Sequence, residues 1–124
     1  MNIVLWIVQI LLALVFLMAG TMKVMRPREV LAENMAWVED FSQSQLRLIG
    51  SLEILGALAL ILPAVTGVLP GLAALAAVGL SLTMVGAIIV HLRRKEYPNV
   101  IMNVVLLAPV IFLAFGRIFI EPLS

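Results

Sequence analysis

Ile49-Gly50-Ser51-Leu52-Glu53-Ile54-Leu55-Gly56-Ala57-Leu58-Ala59-Leu60-Ile61-Leu62-Pro63 holds one acid in a run that is otherwise apolar or small. The run belongs to an expected membrane span from Leu46 to Leu62, ending at Pro63. About 20 apolar residues in helical form cross a bilayer. Glu53 would then lie about 10 Å inside the hydrocarbon, at about 1.5 Å of rise per residue. A charge at mid-span costs about 2.5–3.5 kcal/mol on insertion scales, and such a residue normally turns towards the bundle interior. Gly50, Gly56 and Ala57 stand three before, three after and four after Glu53. Small residues on that face let a second helix come close, so the carboxylate is expected at a helix–helix contact.

The same apolar texture recurs three times in the rest of the chain. Ile3 to Val24 is the first expected span, about Gly71 to His91 the third and about Val100 to Ile120 the fourth. The first run also invites a reading as a secretory signal. It lacks a basic leader and exceeds the apolar core of about 7–15 residues that such a signal carries, so a retained span is expected. Pro63 to Pro70 reads as an uncharged turn, and Pro109 should loosen the fourth span near Val105 by removing one N–H and crowding a carbonyl.

The whole-chain numbers agree. The 124 residues are 64% hydrophobic and 12% charged, with a net charge of +1 and a mean hydropathy of +1.19. Typical soluble domains carry roughly 25% charged residues. The composition excludes an ordinary soluble domain, a disordered chain and a nucleic-acid binder, and points to an all-α integral membrane protein in a single domain over residues 1–124. There is no cysteine and one histidine. Disulfides, thiolate metal sites, iron–sulfur clusters and bis-His haem are therefore excluded as sites built from this chain alone, and no metal site is expected. No nucleotide, metalloprotease or serine-hydrolase motif is present, so the chain reads as not an enzyme on its own.

Between the first two spans, Arg26 to Gln45 carries most of the charge, and Val30, Leu31, Met35, Trp37, Val38 and Phe41 recur at near-helical spacing. A short amphipathic interfacial helix is expected there, with Trp37 as its anchor; an ordinary polar loop is the alternative. Lys23, Arg26, Arg28, Arg47, Arg93, Arg94 and Lys95 lie at the two polar connections, against Arg117 alone at the other end. By the positive-inside rule the connections are expected in the cytoplasm and both termini outside.

Each span contributes one polar residue at the depth of the charged connections: Lys23, Glu53, His91 and Asn103. A buried polar cluster of these four, centred on a Lys23–Glu53 ion pair, is expected as the candidate ligand site. The blander readings are a Lys23 that snorkels to the headgroups, an interfacial His91 and an Asn103 that serves as interhelical glue. Arg117 reads as an interface anchor, and the seven methionines as adaptable packing. Ala76, Gly79, Thr83 and Gly86 form a small-residue stripe, read as close packing inside the bundle, with homodimerisation as the alternative.

The ordered set of Phe16-Leu-Met-Ala-Gly-Thr-Met-Lys23, the Ile49–Pro63 run, Gly79-Leu-Ser-Leu-Thr-Met-Val-Gly-Ala87 leading to His91, and Asn103 resembles the DoxX-like family of small four-span membrane proteins over nearly the whole chain. The resemblance implies an antiparallel four-helix bundle, in bacteria usually at the plasma membrane. It also implies association with quinone-linked redox systems in some relatives and with sterol-like ligands or receptor assembly in more distant ones. The function expected from it is a redox-associated membrane subunit that lodges a quinone beside the Glu53 cluster and works with a membrane or soluble redox partner protein. The alternatives are a non-enzymatic lipid- or hydrophobic-ligand-binding bundle or assembly protein, with a pocket lined by Met84, Ala87 and Leu60, and a small proton-coupled exporter. Exporters of that size place their acid in the first span, which here has none.

Overall fold

A computed structural model of the chain describes residues 1–33, 35–67 and 71–121. Four long helices, α1 (Asn2–Met25), α3 (Gln43–Thr66), α4 (Leu72–Arg93) and α5 (Tyr97–Phe115), pack side by side. Between α1 and α3 lie a one-turn helix, α2 (Arg28–Ala32), and a 3-10 turn (Ala36–Asp40). Neighbouring helices contact in the order α1, α3, α4, α5, and α5 returns to α1 to close the ring. All four are long and apolar enough to cross a membrane. Large apolar side chains such as Ile3, Met18, Leu55, Leu82, Ile101 and Phe119 point outward. So wide an apolar coat suits lipid and not water: the chain is a multi-pass membrane protein.

The helix ends follow local chemistry. Helix α1 stops at Arg26, which is extended (φ −91, ψ 142), because a residue before proline avoids the helical region. Helix α3 starts from a reciprocal cap: Ser42 Oγ accepts from the Gln45 amide at 3.1 Å, and Gln45 Oε1 accepts from the Ser42 amide at 2.9 Å. Contrary to expectation α3 does not stop at Pro63. A proline in the last turn forfeits little of the ladder, and the helix ends at Gly67, whose φ of 77 is the left-handed cap geometry. Of the expected Pro63–Pro70 turn, residues 68–70 lie outside the described residues.

Helix α5 continues through Pro109, as the expected fourth span does, and a π turn follows it (Gly116–Ile120), where the Glu121 amide donates to the Gly116 carbonyl at 2.7 Å. The expected short helix between the first two spans is present as α2, and the 3-10 turn that follows it folds back against it. Arg28 is the reason. Its Nε donates to the Phe41 carbonyl at 2.6 Å, its Nη2 to the Glu39 carbonyl at 2.8 Å, and its backbone amide to Gln43 Oε1 at 2.6 Å. Beneath these bonds Leu31, Val38 and Leu46 form a small core of their own.

The main core joins Leu5, Leu12 and Phe16 of α1 to Ala57 and Leu60 of α3, Ala77, Leu80 and Met84 of α4, and Val110 and Leu113 of α5. The tightest crossing is α1 on α3. A methyl group added at Gly20 or at Gly50 would sit 2.6 Å from the other's carbonyl oxygen, so the two backbones touch there as only glycines permit. The small-residue stripe of α4 is divided: Ala76 packs against the main core, as expected, while at Gly79 and Gly86 an added methyl would meet open space, so those two do not serve close packing inside the bundle.

Candidate functional site

The Gly20–Gly50 crossing sets the site. One turn beyond Gly20 stands Lys23, and three residues beyond Gly50 stands Glu53. Across this crossing Lys23 Nζ lies 2.8 Å from Glu53 Oε1, with side chains 12% and 4% exposed. Small size at Gly50 brings α1 close, while Gly56 receives Leu80 of α4. The acid thus points between helices and is met by a cation, which offsets much of the cost of burying either charge.

The pair forms one wall of a cavity of about 510 Å³, within the range of about 300–1,000 Å³ usual for small-molecule sites. Lys23, Glu53, His91 and Asn103 all line it. They are not one hydrogen-bonded cluster. His91 Nδ1 pairs with Glu96 Oε1 at 2.9 Å, and Asn103 Nδ2 donates to the Asn99 carbonyl one turn back at 2.9 Å. Apolar walls come from Phe16, Ala19, Met84, Ala87 and Leu106. Leu60, expected among them, is fully buried in the main core. Arg47 is exposed and takes no part.

Trp37 is not an outward anchor. It lines the cavity with Met35 and Phe41, meets His91 edge-on at 6.0 Å between ring centroids, and sits 5.9 Å from the Lys23 ammonium. The fold-back imposed by Arg28 turns this face of the segment inward. Above it, Arg94 Nη1 bonds Asp40 Oδ2 at 2.8 Å, and Arg94 Nε approaches Glu96 Oε2 at 3.3 Å. The His91 hydrogen bond, and Arg94 after it, hold the Glu96 carboxyl below its ordinary pKa. The hydrogen bond to Asp40 raises that of Arg94.

The opposite end of the bundle holds a second polar group that the spacing of charges did not reveal. Arg117 is not an interface anchor; it is 3% exposed, and Gln9 is fully buried. Arg117 Nε donates to Gln9 Oε1 at 3.0 Å and Nη1 to Asn2 Oδ1 at 2.7 Å. Gln9 in turn donates through Nε2 to the Leu60 carbonyl. The π turn rotates Arg117 inward, and the Trp6 ring covers its guanidinium at 5.4 Å. The signal was present: Gln9 lies four residues from both Leu5 and Ala13, on the stripe that became the core.

What the chemistry defines is a four-span helical membrane protein with a polar-headed, apolar-walled cavity at one end of the bundle. Over residues 7–113 the chain matches the family model for the DoxX-like family, and it belongs to that family. No match is found among curated proteins or among solved structures.

Proposed function

We propose that the protein is a membrane subunit that holds a quinone-class ligand in this cavity and serves a quinone-linked redox partner. The observation that carries the reading is the Lys23–Glu53 pair in the wall of an otherwise apolar cavity. The pair sums to no net charge, so it favours an uncharged polar head over a carboxylate or a phosphate. Lys23 gives one of its three donors to Glu53 and keeps others for a carbonyl oxygen. Glu53 Oε2, Asn103 Oδ1 and the second ring nitrogen of His91 are not used in the hydrogen bonds described above and suit a hydroxyl. Donors and acceptors side by side serve both the oxidised and the reduced form of such a ring, and Trp37 offers it a flat face. Electrons would come from a flavin- or haem-bearing partner, since the chain has no cysteine and one histidine. The charge bias of the connections supports a cell-membrane protein with the cavity end in the cytoplasm and both termini outside.

The test uses the full chain with Trp6→Phe, so that Trp37 is its one remaining tryptophan. Titration with a short-chain ubiquinone in nanodiscs should quench Trp37 saturably, and Glu53→Gln should weaken binding by about tenfold. Non-saturating quenching equal in both proteins would overturn the reading. Replacement of the quinone by a co-purified lipid of defined composition, found by mass spectrometry, would move it to the lipid-binding alternative.

A further inference from the structure

The wall formed by Met35, Trp37 and Phe41 is attached differently on its two sides. Towards α3 it is fixed. The Arg28 guanidinium bonds the carbonyls of Phe41 and Glu39, and Val38 is buried against Leu31 and Leu46. Towards α4 and α5 it is held by side-chain tips. Among the described residues, the polar links from this segment to α4 and its following turn all run to Arg94: Nη1 to Asp40 Oδ2 at 2.8 Å and Nη2 to Glu39 Oε2 at 3.9 Å. The one ring contact is the edge of Trp37 on His91.

We infer that Met35–Phe41 is a hinged roof over the cavity, with Arg94 as the latch that holds it against the turn between α4 and α5, so that ligand passes at this end of the bundle. The inference rests on the proposed ligand site and names how access to it is controlled. Three features support it. The roof's underside, Met35, Trp37 and Phe41, lines the cavity, so lifting it would uncover the polar wall at Lys23, above which Trp37 sits. The latch is placed where water and salt reach it: the Asp40 and Glu39 side chains are 53% and 64% exposed, and pairs of that kind weaken under ionic screening. Its receiving side is rigid. Lys95 holds a left-handed φ of 58, the Glu96 amide donates back to the His91 carbonyl at 2.9 Å, and Glu96 Oε2 braces Arg94 Nε. A firm catch, a weak tongue and a fixed hinge are what a lid needs.

The experiment reads Trp37 in the full-length Trp6→Phe chain in nanodiscs of zwitterionic lipid. Without ligand, Arg94→Gln should raise acrylamide quenching of Trp37 at least twofold, and 1 M salt should do the same to the chain with Arg94 intact. With a short-chain ubiquinone bound, Arg94→Gln should speed its release at least threefold while the affinity changes less. The reverse arm uses the absence of native cysteine. Asp40→Cys with Arg94→Cys, joined by a bifunctional thiol reagent, should lower quenching and slow release, and reductive cleavage of the linker should restore both. Quenching that ignores Arg94→Gln, salt and the cross-link would overturn the roof. The two proposals separate cleanly: quenching that responds while ubiquinone fails to bind supports the roof and sinks the quinone reading, and binding with no response of Trp37 to any arm does the opposite.

Discussion

The two ends of the bundle solve the same problem in opposite ways. Each buries a basic side chain with polar company: Lys23 with Glu53 at one end, Arg117 with Gln9 and Asn2 at the other. At the Arg117 end most of the polar groups pair with one another, although Arg117 Nη2 is left buried without a hydrogen-bond partner. The guanidinium spends Nε and Nη1 on side-chain amides, a second Nη1 bond reaches the Glu121 carbonyl at 3.1 Å, and Trp6 covers it. At the Lys23 end the pair opens onto about 510 Å³ of space, with donor and acceptor capacity to spare. The difference lies in what stands beside the groups: the Lys23–Glu53 pair faces a cavity, whereas Arg117 is buried beneath Trp6.

The open end has most to lose. Lys23→Met leaves Glu53 buried without its cation and should cost about 3–5 kcal/mol of stability, seen as a lower unfolding midpoint in detergent. Lys23→Met with Glu53→Leu removes both charges. It should recover most of that loss and still abolish the quinone binding proposed above, which separates the pair's share in folding from its share in the proposed site. Next comes the crossing beneath it. Gly50→Val drives a side chain into the Gly20 carbonyl and Lys23 and should cost about 3 kcal/mol, whereas Gly79→Ala, facing open space, should stay within about 0.5 kcal/mol. The Arg117 end responds differently. Arg117→Met strands Gln9 Oε1 and Asn2 Oδ1 and should cost about 1–3 kcal/mol while ligand affinity holds. A loss of binding there would mean that the two ends are coupled.

The smallest effect concerns the turn that carries the latch. Glu96 has a folded-state pKa below its ordinary value, through His91 first and Arg94 next. The unfolded chain therefore binds the proton more readily. This stabilisation is fully present above the usual glutamate range of about 4.3 and is lost as pH falls through the lower folded-state value. Glu96→Gln should flatten that acid limb of the unfolding curve and leave stability at pH 7 to 8 nearly level with pH.

Much of this was legible in the chain. Four spans follow from apolar run length, and the inward face of Glu53 from the small residues at i−3, i+3 and i+4. Lys23 was findable by depth, since only side chains at one level of the bilayer can meet. What periodicity could not show was direction imposed from a distance. Nothing local in Ala36–Asp40 says that Arg28 will reach over to the Phe41 carbonyl, split the segment and turn Trp37 inward. Likewise, an arginine close to a span end looks the same whether it reaches lipid headgroups or, through a π turn, an amide 108 residues earlier. Helix length erred at Pro63 for a simpler reason: a proline in the last turn removes one donor, and neighbouring turns and packed helices keep the rest of the ladder intact.

One consequence of the glycine crossing lies in mechanics. Helices α1 and α3 are locked backbone to backbone at Gly20 and Gly50, yet the cavity is bounded on its far side by α4 and α5, which meet α1 through the looser α1–α5 seam. Sideways pull from the bilayer should therefore widen that seam before it parts the crossing, so that the charged wall is the last part of the chamber to change shape.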